Sequence, residues 1–519
     1  MFSKVYSAAL EGMSAYVVQV EADVSDGLPC LELVGLLGTE VREAKERVRV
    51  ALKNAEFRLP PKRITINLSP ADVRKEGTMF DLAIAISILT ASGHIPEEFI
   101  EKTVFIGELS LDAGLHRING VLPMVTAAKE QGFVRCILPK ENAREGAVIS
   151  EIEMIGVSSL KEAFLYLMGA LPIDAEFVDV KQLFEDGIHM AYDMDFHEVC
   201  GQESAKRAIE VAVAGMHHLM MIGTPGSGKT MLAKRIPTIM PELTLAESLE
   251  LTKVYSVSGH MDSNQPLLLT RPFRAPHHSI TSNALVGGGR YPRPGEISLA
   301  TNGVLFLDEL PEFDMRTLEL LRQPLEERRI MINRLNGCYE YPANLMLVAA
   351  MNPCKCGYYP NRLRCHCSYP QIHRYLNHIS GPLLDRIDVF IETSEIDYHQ
   401  LHNTTEQESS SCIRKRIQTA RRIQLKRYEK EAIYFNAQLS SSRIRKYCVL
   451  GKNEQQWMEK VFDQLELSSR GYHRILKVAR TIADLEESED IKERHLSEAV
   501  CYRSFEHKYW MGGEKSYAK

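Results

Sequence analysis

The chain has 519 residues, enough for about three domains at roughly 150 residues each. Hydrophobic residues make up 45% and charged residues 25%, an ordinary globular balance with ample material for buried cores. Lys+Arg total 62 against Asp+Glu 68, a formal net charge of −6, which excludes a wholesale basic protein; a polyanionic partner has to meet a local patch.

Residues 1–170 read as mixed α/β. Glu11 and Glu21 interrupt the first apolar stretch and no secretory cleavage pattern follows, so export is not expected. Thr39 is expected to cap a helix in which Val41, Ala44, Val48, Ala51, Leu52 and Ala55 recur at 3.6-residue spacing. Its other flank, with Arg42, Lys45, Arg47, Arg49 and Lys53, reads as a solvated surface rather than a nucleic-acid contact. After Pro60-Pro61, the segment 63–68 alternates as a half-buried strand, and an apolar helix starts at Asp81. The uncharged run 82–96 is too short for the roughly 20 residues a bilayer needs, and the run 211–228 contains His217, His218 and a Gly/Pro-rich end. Residues 171–200 turn acidic around a lone Lys181, with no sustained period, as a connector does. From 201 to 393, apolar runs alternate with helical patterns, as in βαβ units. Residues 394–519 start with a polar stretch, pass through the basic segment 414–430 and end helical, with Ile475, Leu476, Val478, Ala479, Ile482 and Leu485 marking one face. Eleven cysteines without an export signal point to reduced thiols and a cytoplasmic protein.

The strongest motif is Gly223-Thr224-Pro225-Gly226-Ser227-Gly228-Lys229-Thr230, preceded by the apolar run Leu219-Met220-Met221-Ile222 and followed by a helical pattern. Its glycines let backbone N–H groups surround phosphate oxygens, and the following helix N-terminus adds positive potential. Lys229 supplies charge to the β- and γ-phosphates of ATP, and the Thr230 hydroxyl is a Mg²⁺ ligand. A second apolar run, Val304-Leu305-Phe306-Leu307, is expected to be a strand buried on both faces, ending in Asp308-Glu309. Asp308 suits the Mg²⁺ shell and Glu309 the polarisation of an attacking water. A third strand, 345–350, ends in Met351-Asn352-Pro353, where Asn352 can sense the γ-phosphate or simply open a turn.

This order of phosphate loop, Asp-Glu strand and Asn-bearing strand resembles an AAA+ ATPase. More narrowly, the chain is similar to the magnesium-chelatase-like YifB/ComM family along essentially its whole length. The similarity is carried by Arg274-Ala275-Pro276-His277-His278, Leu285-Val286-Gly287-Gly288-Gly289, Pro294-Gly295-Glu296 and Ser380-Gly381-Pro382-Leu383-Leu384-Asp385-Arg386. It continues in Arg470-Gly471-Tyr472-His473-Arg474 and Ala479-Arg480-Thr481-Ile482-Ala483-Asp484-Leu485. The resemblance implies a Lon-protease-like domain of ribosomal-S5 type over 1–170, a parallel P-loop core over 201–393 and a helical lid over 394–519. It also implies a homo-oligomeric ring, a hexamer, in which Arg386 reaches the γ-phosphate held by a neighbouring subunit. Arg470 matches the second sensor arginine, with Arg474 as the alternative one turn later.

In proteolytic relatives the N-terminal fold carries a Ser–Lys pair. Here Met79 stands at the nucleophile's place and the turn Gly120-Val121-Leu122-Pro123 lacks the lysine, so peptidase activity is not expected. Cys354, Cys356, Cys365 and Cys367 crowd together behind Asn352, either as four zinc ligands, with His366 as a substitute, or as free thiols. The resemblance implies a helicase that drives branch migration during recombination of incoming DNA in competence. Arg290, Arg293 and Arg334 are the candidate DNA contacts, the last in an expected hairpin over 328–342. A protein-remodelling ATPase and a magnesium-chelatase ATPase subunit are the alternative readings.

Overall fold

The computed structural model describes residues 1–188, 193–289, 292–334, 337–395, 407–431 and 433–511. They fall into two compact units. The first comprises Met1–His189, Thr244–Leu269 and Asn333–Tyr341; the second comprises Met190–Leu243, Thr270–Ile332 and Pro342–Lys519.

The first unit is built on a seven-stranded mixed sheet. Its strands are β1 (Phe2–Glu11), β2 (Ser14–Ser25), β3 (Cys30–Val34), β4 (Arg63–Ser69), β5 (Thr103–Phe105), β8 (Arg135–Pro139) and β9 (Glu153–Val157), in the order β3-β4-β2-β1-β5-β8-β9. Two short strands, β6 (Glu108–Leu109) and β7 (Leu115–His116), pair separately. Strands β1 and β2 form an antiparallel hairpin, whereas β5, β8 and β9 run parallel. Strand β4 alternates as its sequence predicts, with Ile64, Ile66 and Leu68 buried.

The helix Thr39–Asn54 buries Val41, Ala44, Val48, Ala51 and Leu52, one stripe at helical period. Its N-cap is Gly38 and Thr39 is the first helical residue, so the expected Thr39 side-chain cap does not form. Its basic flank is not wholly solvated either. Arg47 crosses to the fully buried Asp81, donating to both carboxylate oxygens at 2.8 and 3.0 Å. Every residue of the helix Asp81–Ala91 is buried, so this apolar run is a core helix. Within the acidic connector a helix forms over Val180–Ile188. Val180, Leu183 and Phe184 pack against the cores around Leu122, Val148 and Leu267, an i, i+3, i+4 pattern that the surrounding carboxylates obscure.

The second unit contains a five-stranded, all-parallel sheet. Its strands are β10 (Leu219–Gly223), β11 (Phe273–Arg274), β14 (Val304–Leu307), β17 (Met346–Met351) and β18 (Val389–Thr393), in the order β11-β14-β17-β10-β18. All residues of β10, β14 and β17 are buried, as central parallel strands covered on both faces require. This mixture of a parallel sheet with flanking helices fits an AAA+-like P-loop core. A hairpin, β12 (Gly287–Gly288) with β13 (Arg293–Pro294), interrupts it; β15 (Arg329–Arg334) pairs with β16 (Gly337–Pro342) in another, of which Asn333–Tyr341 is assigned to the first unit. Among the described residues, α-helices follow at Ser410–Arg427, Ser441–Tyr447, Lys452–Gln464, Ser469–Leu485 and Glu493–Glu506. Ile475, Leu476, Val478, Ala479 and Ile482 join the sheet's core, and Leu485 packs at its margin. Among the described residues no helix is long and apolar enough to cross a membrane.

Candidate active site

Ligands of open parallel sheets bind outside the carboxyl ends of the strands. Register brings three such ends together. Ile222 of β10 lies opposite Met351 of β17, and Leu307 of β14 lies opposite Ala349. The phosphate loop, Asp308-Glu309 and Asn352 therefore leave adjacent strands at one edge.

The loop 223–228 runs into the helix Lys229–Ile239 through Gly226 and Gly228, both left-handed at φ of 78° and 84°. Such a backbone strongly favours glycine and turns successive N–H groups inward. The Lys229 side chain folds over the loop and donates to the carbonyls of Gly223 and Thr224, each at 2.9 Å, and to Asn352 Oδ1 at 3.2 Å. Burial lowers its pKa below the ordinary lysine value, against the pull of Asp308 and Glu309. Thr230 Oγ1 donates to Asp308 Oδ2 at 2.7 Å, which joins the two oxygen ligands named for Mg²⁺. Hard oxygen donors of this kind suit that ion. Glu309 follows at the same strand end, its backbone N–H donating to Asp308 Oδ1 at 3.0 Å. Its backbone is left-handed, at φ 52°, and its side chain is 59% exposed, with His278 Nδ1 3.9 Å from one carboxylate oxygen.

Two positioning contacts carried no sequence signal, and a third falls within the His277-His278 motif. Gln202 donates to Ser227 O at 3.2 Å and to Ser394 O at 2.6 Å, tying the phosphate loop to the end of β18. Ser227 and Thr393 share a hydroxyl contact of 2.7 Å. His278, in contact with His277 at 4.0 Å between ring centroids, approaches Glu309.

Arg386 is held within its own chain. Its Nε donates to Arg322 O at 2.9 Å, Nη1 donates to Pro382 O at 2.6 Å, and Nη2 pairs with Glu326. The two candidate sensor arginines separate clearly. Arg474 donates to the buried Asp388 at 2.8 Å and is 18% exposed, whereas Arg470 is 62% exposed and 4.0 Å from Asp385. Asp388 is also approached by His217, which contacts Thr481 Oγ1 at 2.8 Å. Burial alone would raise the Asp388 pKa; Arg474 and His217 outweigh it and hold the carboxyl well below its usual range.

Several sequence motifs turn out to be structural partners. Arg274 forms a two-armed ion pair with Glu296 at 2.7 and 2.6 Å. Gly287 and Gly295 allow the β12–β13 hairpin to close, since a Cβ at Gly295 would meet Gly287 N at 2.3 Å. Arg480 and Arg427 both bind the buried Asp484.

Of the named DNA contacts, Arg293 and Arg334 are exposed on hairpin strands, and Arg290 lies outside the described residues. Arg328 is not a surface charge: it donates to Asn344 at 2.7 Å, and burial lowers its pKa to about 10. The basic helix, too, is less solvated than its composition suggests. Arg414 donates to Thr238 O at 2.8 Å, Arg416 pairs with Glu210, Arg421 bonds Tyr434 O, and Arg427 pairs with Asp484.

In the first unit, the Thr78 hydroxyl donates to Glu108 and the buried Lys75 donates to Val73 O at 2.8 Å.

The four cysteines converge. Cys354 Sγ lies 3.3 Å from Cys356 Sγ and 3.7 Å from Cys365 Sγ, and all four sulfurs, Cys367 included, lie within 4.8 Å of one another. Four thiolates around zinc at about 2.3 Å stand roughly 3.8 Å apart, so the donor set fits a closed tetrahedral site. His366 is exposed and stands outside this group.

Three family models match the chain: magnesium chelatase, subunit ChlI, over residues 195–401; subunit ChlI of Mg-chelatase over 20–142; and the ChlI C-terminal region over 407–503. The competence protein ComM of Haemophilus influenzae is 44% identical over 503 residues, covering 96% of this chain and 97% of that protein. The uncharacterized protein YifB of Escherichia coli is 41% identical over 505 residues, 97% of each. An uncharacterized protein of Mycobacterium tuberculosis is 38% identical over 487 residues, 93% of this chain and 94% of that one. The chain belongs to the YifB/ComM magnesium-chelatase-like family.

Proposed function

We propose that this protein is an ATP-hydrolysing ring motor, a homohexamer, that moves along DNA and promotes branch migration during recombination of incoming DNA. The observation that carries the ATPase reading is the convergence of Lys229, the Thr230–Asp308 pair, Glu309 and Asn352 at one edge of the parallel sheet. Lys229 leaves the loop carbonyls to neutralise the β- and γ-phosphates, and the loop N–H groups take the remaining oxygens. Thr230 and Asp308 would hold Mg²⁺, which when bound would neutralise phosphate charge. Glu309 orients the attacking water and draws its proton, while Asn352 marks the γ-phosphate. Arg386 leaves Glu326 to reach a neighbour's nucleotide, and Arg470, which unlike Arg474 is uncommitted to a buried carboxylate, reads its own.

The DNA reading is supported by likeness to a competence protein and by the exposed arginines 293 and 334 on their hairpins. Cations at such tips would follow phosphates with strong salt dependence. The first unit, proposed as a Lon-like fold without the Ser–Lys pair, serves ring assembly or binding rather than peptide cleavage. The ChlI family models favour a second reading, an ATPase subunit of a chelatase. Branch migration on a three-stranded substrate, compared between the intact chain and Glu309→Gln, is the test. The expected result is ATP-dependent strand exchange by the intact chain, and a variant that binds ATP but loses turnover by at least about 100-fold. Turnover indifferent to branched DNA, with no strand movement, would refute the motor reading.

A further inference from the structure

The cysteine cluster lies against the phosphate loop. Gly357, between the two cysteine pairs, is left-handed at φ +87°, and a Cβ built on it would meet Pro225 Cδ at 2.4 Å and Cγ at 2.6 Å. Real Cβ contacts do not come this close, so the loop backbone rests directly on the nucleotide loop. Beyond Gly357, Tyr358, Tyr359 and Asn361 wall a cavity of about 810 Å³, which Gln202, Gly223 and Thr224 also line. Asn352, which contacts Lys229, stands two residues before Cys354.

What holds this wall in place is the question the composition raises. Residues 355–364 form no helix or strand, and Leu363 is 92% exposed. Cation–π contacts help at the rim, with Arg364 4.1 Å above Tyr358 and Arg362 4.5 Å above Tyr369, but each is worth only about 1 kcal/mol. Cys354 and Cys365 are the buried anchors. A loop without an apolar core of its own takes its shape from metal bonds where a tetrahedral thiol set is present.

We propose that zinc on Cys354, Cys356, Cys365 and Cys367 is a positioning element of the nucleotide site: it presses Gly357 onto Pro225 and sets the Tyr358–Tyr359 wall, so metal occupancy controls the grip on nucleotide. The proposal rests on the nucleotide-site reading above and adds a dependence that reading does not require.

Full-length protein under reducing conditions provides the test, with zinc counted by metal analysis and affinity read with a fluorescent ATP analogue plus Mg²⁺. One zinc per chain is expected. Stripping it with a chelator should weaken nucleotide binding at least about tenfold, since a supporting shell loosened by about 1 Å costs this much or more, and added zinc should restore it. Gly357→Ala should keep its zinc and lose affinity by a similar factor, which separates contact with Pro225 from general unfolding. Lys229→Ala should keep its zinc and lose the nucleotide. Absence of zinc, equal affinity with and without metal, or wild-type affinity in Gly357→Ala would each overturn the proposal while leaving the ATPase reading standing. Zinc-loaded unmodified protein that binds no ATP would remove the nucleotide reading itself, and this proposal with it.

Discussion

Replacing Arg386 by alanine removes a guanidinium that donates to Arg322 O and Pro382 O and pairs with the largely exposed Glu326. Two partly solvated hydrogen bonds and an exposed ion pair together contribute about 2 kcal/mol, too little to unfold the second unit. None of these contacts touches Lys229, Thr230 or Asn352, so nucleotide affinity should stay within about threefold, a change under 1 kcal/mol. Turnover should fall by about 10³-fold or more, the usual effect of losing an arginine finger. The decisive assay is complementation. Arg386→Ala and Lys229→Ala are each expected to be inactive, but in a randomly mixed ring an intact loop meets an intact finger from the next subunit at about one site in four. Co-expressed mixtures should therefore regain up to about a quarter of wild-type turnover. Mixtures as inactive as their parents, or full turnover in Arg386→Ala alone, would refute action between subunits.

Two further outcomes follow from the buried network around Asp388. His218 is buried, and burial lowers its pKa from 6.5 to about 4, so between those values the unfolded chain binds the extra proton and the folded chain does not. Stability of the second unit should be complete above pH 6.5 and fall by about 3 kcal/mol as pH drops to about 4. Its neutral Nδ1 accepts from Leu347 N at 3.1 Å, so His218→Asn should keep an acceptor and flatten this part of a pH series of urea melts; an unchanged slope would count against it. Arg474→Met should cost about 3–5 kcal/mol by stranding the buried Asp388, whereas Arg470→Ala should change stability by less than about 0.5 kcal/mol and lower ATP turnover. Thermal unfolding and turnover measured on both would expose a reversed assignment.

Local spacing carries local geometry, and that is what the amino-acid order alone determined here. The glycines of 223–228, the apolar runs before Asp308 and Asn352, and the stripe from Val41 to Leu52 each specify backbone shape or burial within a few residues. The cysteine pairs flagged a metal-type cluster by composition, and tertiary packing then brought four sulfurs within 4.8 Å. Partners distant along the chain were beyond any periodic reading. Arg47 looked solvated because its acceptor, Asp81, lies 34 residues away; the partners of the arginines in the basic helix, Thr238, Glu210 and Asp484, likewise come from other elements. Arg470 and Arg474 are indistinguishable by motif, and only the packing of their helix against the sheet commits Arg474 to Asp388. The contact of Gly357 with Pro225 belongs to the same class. Hydrogen bonds, ion pairs and close packing act over a few ångströms in space, so their members are chosen by the assembled fold and not by separation in sequence.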